Sequence, residues 1–234
     1  MLGKSGSGKT VTSMSILQLL DRKTTTIEGS ITLQGRELNG LDDKEIRGIR
    51  GKDIAFIMQN PMNSFTPVFT IGNQFVETIR SHTALNKKTS KRACHRGDAK
   101  RKPAKSRETI KKAILFQLSG GMLQRVMIAM AACLQPSVII ADEPTTALDV
   151  HNQLQVLRHL DKIRSEYGTS ILLISHDLGV ISEMADDVVV MQHGRIVETA
   201  NVFELFDNPQ HEYTKKLLNA RLSIKHEEPI THML

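Results

Sequence analysis

The sequence predicts an α/β protein built on a mostly parallel sheet, from two interleaved patterns. Short β-branched runs, IAFIM (54–58), SVIIA (137–141), TSILLIS (169–175) and DVVVM (187–191), read as buried strands. Helical patterns lie among them, at Thr10 to Leu20, Met122 to Cys133, Val150 to Arg164 and Leu178 to Met184. Strands alternating with helices of this length pair in parallel, with helices over both faces of the sheet. Gly194 is placed to turn the last of these strands into IVE (196–198), and past Phe203 the chain reads as short helices.

Length and composition allow one large domain, or a core with a smaller subdomain inserted. The chain has 234 residues, 40% of them hydrophobic, enough to bury a core. No run approaches the roughly 18 apolar residues that a membrane-spanning helix needs. No basic region followed by an apolar stretch opens the chain, so no secretory signal is expected. Cys94 and Cys133 have no metal or redox spacing and suit a reducing compartment. The net charge of +6 is unevenly placed: residues 87 to 112 hold twelve Lys/Arg against Asp98 and Glu108, a local +10 that leaves −4 for the rest. The high pI belongs to one segment without aromatic stacking residues, so no nucleic-acid partner is expected.

Gly3-Lys4-Ser5-Gly6-Ser7-Gly8-Lys9-Thr10 fits the phosphate-binding pattern G-x-x-x-x-G-K-[ST]. The glycines let backbone N–H groups curl around phosphate oxygens, and the following helix N-terminus adds partial positive charge. Lys9 is expected on the β/γ phosphates and the Thr10 hydroxyl on Mg²⁺. Val138 to Glu143 is an apolar strand ending in two acids. Asp142 is expected in the Mg²⁺ shell, and Glu143 is expected to orient a water as general base. Leu118-Ser119-Gly120-Gly121-Met122 reads as a Ser-capped helix start, and equally as a second phosphate-contacting surface.

With these motifs in place, the sequence resembles the ATP-binding subunits of ABC transporters from Gly3 to about residue 222. The resemblance implies a P-loop (RecA-like) mostly parallel sheet with an inserted helical subdomain. It makes LSGGM the signature motif, with Ser119, Gly120 and Gly121 facing the nucleotide of an opposing subunit. Gln59 matches the Q-loop glutamine, a Mg²⁺ ligand, Ala147-Leu148-Asp149 matches the D-loop, and His176 matches the switch histidine. The implied partners are a second, homologous ATP-binding subunit in a head-to-tail dimer, two membrane-spanning permease subunits and, indirectly, an extracytoplasmic solute-binding protein. The implied place is the cytoplasmic face of the inner membrane. MQNPMNSFTPVFTIGNQ (58–74) and the tail LFDNPQHEYTKKLLNA (205–220), with Pro209, His211, Tyr213 and Thr214, resemble dipeptide, oligopeptide and nickel importers. The expected function is an ATPase powering uptake of peptides, nickel or a metal chelate. No cysteine follows residue 133, so no iron–sulfur cluster is expected.

The chain departs from the family in two places. The loop begins at residue 3, so the N-terminal β-subdomain, the first core strand and the adenine-stacking aromatic are expected to be missing. Residues 94–116 stand where the family has an amphipathic helix. With codons chosen among those permitted for Cys94 to Lys112, reading from the second base can give AIEAMRKENLQNPERRLKK, a helix-forming run that resembles the family's, so a frameshifted segment is expected there in preference to a true basic insert. The expected layout is a core at 1–70 and 118–204, a helical subdomain at 71–117 and a C-terminal extension at 205–234. An inactive remnant and a non-transport ABC ATPase are the alternatives.

Overall fold

The computed structural model describes residues 1–86, 88–90, 109–146 and 148–224. The expected frameshift lies mostly outside them, as do Cys94 and Ala147. The chain forms two compact units, Met1–Lys9 with Ser175–Leu234, and Thr10–Ile174.

The larger unit holds a parallel sheet of β3 (Ile54–Ile57), β4 (Val138–Asp142) and β5 (Ser170–Ile174), with β4 in the centre. Ile54 pairs with Val138, and Val138 with Ser170, so all three strands run level. Ile57, Ile139, Ala141 and Ile174 are wholly buried, which is why these strands read as continuous apolar runs rather than alternating ones. Helix α5 (Val150–Tyr167) buries Val156, Leu157, Leu160 and Ile163, the stripe that a 3.6-residue period brings to one face. It stops at Gly168, whose φ of 66° is the left-handed conformation that closes many helices. Helix α4 (Gly120–Ala132) buries Leu123, Val126 and Met127, and α3 (Ile71–His82), capped by Thr70, buries Ile71, Val76 and Ile79.

Two features of this unit were not legible in the pattern. Helix α1 (Lys9–Ile16) ends four residues before the predicted Leu20. Arg50, just after α2 (Asp43–Ile49), donates to the carbonyls of Leu17 at 2.7 Å and Gln18 at 2.5 Å, and Gln18 adopts a φ of 48°. A distant side chain thus satisfies two carbonyls just past the helix end that have no partner within the helix. The second feature is a short antiparallel ribbon, β1 (Thr32–Leu33) with β2 (Arg36–Glu37). Its two-residue turn, Gln34-Gly35, has φ of 50° and 80°, the doubly left-handed turn that matches strand twist.

In the smaller unit, β6 (Asp187–Gln192) and β7 (Arg195–Asn201) form an antiparallel hairpin with a bulge at Val190/Met191. The predicted turn at Gly194 is present, with His193 at φ 49° and Gly194 at 75°. Leu2 is bridged in parallel to Ser175 and to Val190. The ladder around it consists of Leu2 N–H to Val189 O (2.8 Å), Met191 N–H to Leu2 O (2.8 Å) and Ser175 N–H to Met1 O (3.1 Å). In place of the first core strand, which was expected to be missing, this one bridging residue makes the ladder hydrogen bonds.

Helix α6 (Leu178–Met184), α7 (Val202–Asp207) and α8 (Glu212–Ile224) complete the unit. The entry to α8 is fixed by Glu198 on β7, whose carboxylate accepts the N–H groups of Gln210 (2.7 Å) and His211 (3.1 Å). Burial pushes the Glu198 carboxyl up, but the Gln210 N–H, the Thr214 side chain, the His211 N–H and the nearby His211 ring together hold the group below the ordinary glutamate range. Because the folded state favours the carboxylate, its contribution is present above that range and lost as pH falls through it. Urea unfolding from pH 7 to pH 3 should therefore show a loss of stability on acidification that Glu198→Gln makes shallower.

Candidate functional site

The predicted phosphate loop is a curl whose shape requires glycine at particular points. A Cβ on Gly3 would stand 2.4 Å from the Met191 carbonyl oxygen and 2.7 Å from Ser7 Oγ. Gly6 and Gly8 have φ of 80° and 100°, and a Cβ on Gly8 would meet Gly194 Cα at 3.3 Å. Ser5 and Gly6 are exposed and Ser7 is buried. Lys9 opens α1 and is only 5% exposed, with its ammonium folded back onto Gly3 O (2.7 Å), Lys4 O (3.0 Å) and Ser7 Oγ (3.4 Å). A buried cation held by its own loop's oxygens, beside a cradle that a Cβ would fill, fits a polyphosphate. Thr10, the next residue, is exposed.

A second group forms in the larger unit at the end of β4. Asp142 is buried at 4% exposure, while Glu143 is half-buried and adopts a φ of 47°, unusual for a residue with a side chain. Such strain is sustained where the surroundings over-determine it. Glu143 N–H donates to Ile174 O (2.9 Å), and its Oε2 accepts from Gln59 Nε2 (3.0 Å) and Thr146 Oγ1 (2.9 Å). Gln59 lies just past β3, 84 positions away in sequence, and the parallel pairing of β3 with β4 brings the two side chains together. Thr146 was not among the predicted site residues, although its place three positions after Glu143 was the available signal. Among the described residues no group of three or more His, Cys, Asp or Glu could hold a metal alone. Mg²⁺ needs no such cage, because it fills its shell from one or two protein oxygens, phosphates and water.

In the same unit Ser119 caps α4, accepting from Met122 N–H at 3.3 Å, with Gly120 exposed and Gly121 buried. A Cβ on Gly121 would meet Asn152 at 3.0 Å. Asn152 in turn donates to Asp149, which caps α5, through its backbone N–H (2.8 Å) and its Nδ2 (2.6 Å). Those bonds, the backbone one first, hold the exposed Asp149 carboxyl below its ordinary range. Arg125 Nη1 closes the link, bonding Asn152 Oδ1 (2.9 Å) and Gln155 Oε1 (3.1 Å). The predicted Ser-Gly-Gly turn and the start of α5 are thus joined through Arg125 and Asn152, neither of which the motifs had singled out. His176 is exposed in the smaller unit, between buried Ser175 and Asp177, whose carboxylate caps α6 through Gly179 N–H at 2.7 Å.

A family model described as ABC transporter matches residues 1–146, more than half of the chain. This chain belongs to the ABC transporter family. Among its relatives, a Brucella melitensis protein that bears the name of a peptide import ATP-binding protein is 44% identical over 233 residues, covering 94% of this chain and 67% of the relative. A Sinorhizobium fredii protein, named for a peptide ABC transporter ATP-binding role, is 41% identical over 229 residues, covering 94% of this chain and 66% of its own. The chain spans about two thirds of the length of these relatives. Similarity over 94% of the chain does not favour an inactive remnant. Among solved structures, the ATP-binding cassette MJ0796, in a dimeric post-hydrolysis state with ADP and Pi, matches with a TM-score of 0.70 at 25% identity over 86% of this chain and 83% of its own. The cbiO1 component of the Clostridium perfringens cbiONQ transporter shares the fold, with a TM-score of 0.72 over 96% of this chain and 83% of its own.

This ABC chain is an ATP-hydrolysing cassette ATPase, and nucleotide with Mg²⁺ is the general requirement of its family. No helix among the described residues is long and apolar enough to cross a membrane. The loop geometry makes one outcome specific. Gly3→Ala, which drives a methyl group into the Met191 carbonyl, should abolish measurable MgATP binding in a fluorescence titration and lower the thermal midpoint by several degrees.

Proposed function

We propose that this chain is the ATP-binding subunit of an importer, acting at the cytoplasmic face of the membrane, with peptides as the cargo. The observation that carries the reading is the glycine cradle around the inward-folded Lys9, a cation that a triphosphate would draw outward. In the reading, the N–H groups of Gly3, Ser5, Gly6, Ser7 and Gly8 bind the phosphates, and Lys9 spans the β and γ groups. Thr10, Asp142 and Gln59 would hold Mg²⁺, which when bound neutralises charge developing on the transferring phosphoryl group.

Glu143 accepts a proton from a water as that water's oxygen bonds to the γ-phosphorus. The bond from that phosphorus to the β–γ bridging oxygen breaks, and ADP and phosphate leave. Gln59 and Thr146 both bond the same Glu143 oxygen, which supports a carboxylate held in one orientation until water arrives. His176 would contact the γ-phosphate. Ser119, Gly120 and Gly121 serve the nucleotide of a homologous partner subunit, and Asp149 lies where the two sites meet. The core then spans 1–70 and 118–204, with a helical subdomain at 71–117 and an extension at 205–234.

Two membrane-spanning permease subunits would receive the closure, and an extracytoplasmic binding protein would deliver the solute. The segment after Gln59 supports that docking. Val68 is 76% and Phe69 is 51% exposed, and Gln74 pins the loop beneath them through Thr66 N–H (2.9 Å), Thr66 O (3.1 Å) and Phe69 O (3.0 Å). An apolar pair presented on a fixed loop suits a protein partner. Peptide is preferred to nickel or a metal chelate because the relatives reported above carry peptide-transport names. The decisive experiment is Glu143→Gln in the purified protein. MgATP should still bind within a few-fold of the original affinity while hydrolysis falls by about 100-fold or more, and uptake of a labelled peptide by cells should stop. Unchanged turnover would remove Glu143 from the chemistry.

A further inference from the structure

The tail motif Pro209-x-His211-x-Tyr213-Thr214 has no part in the hydrolysis scheme, yet it ends on the phosphate loop. The Tyr213 hydroxyl accepts the Lys4 N–H at 3.1 Å, across 209 positions of sequence. The chain builds towards that contact in steps. Glu198 on β7 accepts from the N–H groups of Gln210 and His211, and His211 Nδ1 then accepts the N–H of Tyr213 at 3.1 Å. This places the phenol in the first turn of α8, in a cleft lined by Lys4, Gln192, His193, Tyr213 and Lys216.

We propose that Tyr213 is a positioning residue that tethers the phosphate loop from outside, so that the loop keeps its shape when Lys9 leaves it for nucleotide. The proposal rests on the nucleotide-binding reading. Its reason lies in the loop's own hydrogen bonds. Lys9 supplies the bonds to Gly3 O and Lys4 O, and both are given up when the ammonium moves onto phosphate. Among the bonds that do not use Lys9 are Ser7 N–H to Lys4 O (3.2 Å) and Gly194 N–H to Ser7 O (3.0 Å), on a segment with three glycines. Glycine-rich backbone gains more freedom than any other when released. The Tyr213 bond holds the N–H side of Lys4 and does not depend on Lys9, so it survives binding.

The contact is exposed to water, so its net effect is that of one modest hydrogen bond, about three- to tenfold in an equilibrium constant. The test uses Tyr213→Phe, which removes one oxygen and keeps the ring. In nucleotide-free protein, amide exchange across Lys4 to Gly8 should quicken about three- to tenfold while the thermal midpoint stays within about 2 °C. The Kd for MgADP and MgATP should rise by a similar factor, with the change in KM and with kcat held within about twofold. Unchanged loop exchange and unchanged Kd would overturn the tether, as would a fall in kcat alone. If Tyr213→Phe lowers the midpoint further than that, Glu198→Gln decides. This change loosens the anchor of the tail without touching the loop, and it should reproduce the exchange and Kd shifts at smaller amplitude; no shift overturns the proposal. Original protein that binds neither nucleotide would sink the nucleotide reading instead, while loop exchange in the nucleotide-free state still reports on Tyr213.

Discussion

A backbone that leaves a ladder at one residue and must curl at the next can do so only where no side chain intrudes. Leu2 is hydrogen-bonded to Val189 and Met191 while Met1 bonds Ser175 on the other side, and Gly3 then passes so close to the Met191 carbonyl that even a methyl group would collide. The rest of the smaller unit follows from that approach. The carbonyls of Gly3 and Lys4 turn towards Lys9, the Ser7 carbonyl meets Gly194 in the hairpin turn, and the Lys4 N–H meets Tyr213. A buried ammonium would be costly without acceptors, and the curl supplies them.

The larger unit answers to a different constraint, the central position of β4. A strand flanked on both sides and covered on both faces buries nearly all its residues, so Asp142 is carried inside by the apolar run before it. Glu143 escapes this by leaving the extended conformation altogether. Its left-handed φ aims the carboxylate at Gln59 and Thr146, while its N–H still completes the ladder with Ile174. The strain and the hydrogen bonds belong together, because three separate partners hold one residue in a conformation it would not choose alone.

The Ser-Gly-Gly turn has a structural role that is compatible with the phosphate contact proposed for it. Ser119 and Asp149 each cap a helix, an arrangement that any Ser or Asp at such a position adopts. The link through Arg125 and Asn152 makes the two caps a single piece, and the absent side chain of Gly121 leaves room for Asn152. A serine hydroxyl that accepts from Met122 N–H can still donate outward, so capping does not consume its capacity for phosphate.

Much of this was legible in residue order. Strand and helix periodicity placed β3 to β6 and α4 to α6 within a few residues, because apolar spacing follows directly from which faces are buried. The glycine loop, the paired acids and the Ser-Gly-Gly turn were legible because backbone geometry restricts the residues allowed there. The early end of α1 was not, since the left-handed Gln18 and the Arg50 that caps its carbonyl more than thirty positions away leave no local pattern. Nor was the β1–β2 ribbon, whose only local mark was Gln34-Gly35. By itself the sequence determined the fold class and where the phosphate-loop, paired-acid and Ser-Gly-Gly turns fall, since both depend on local periodicity and on permitted φ angles. Only the tertiary structure decided that Gln59 meets Glu143, that Asn152 joins two caps and that Tyr213 reaches Lys4. Those contacts come from strand register and helix placement, which arise when distant segments bury surface together.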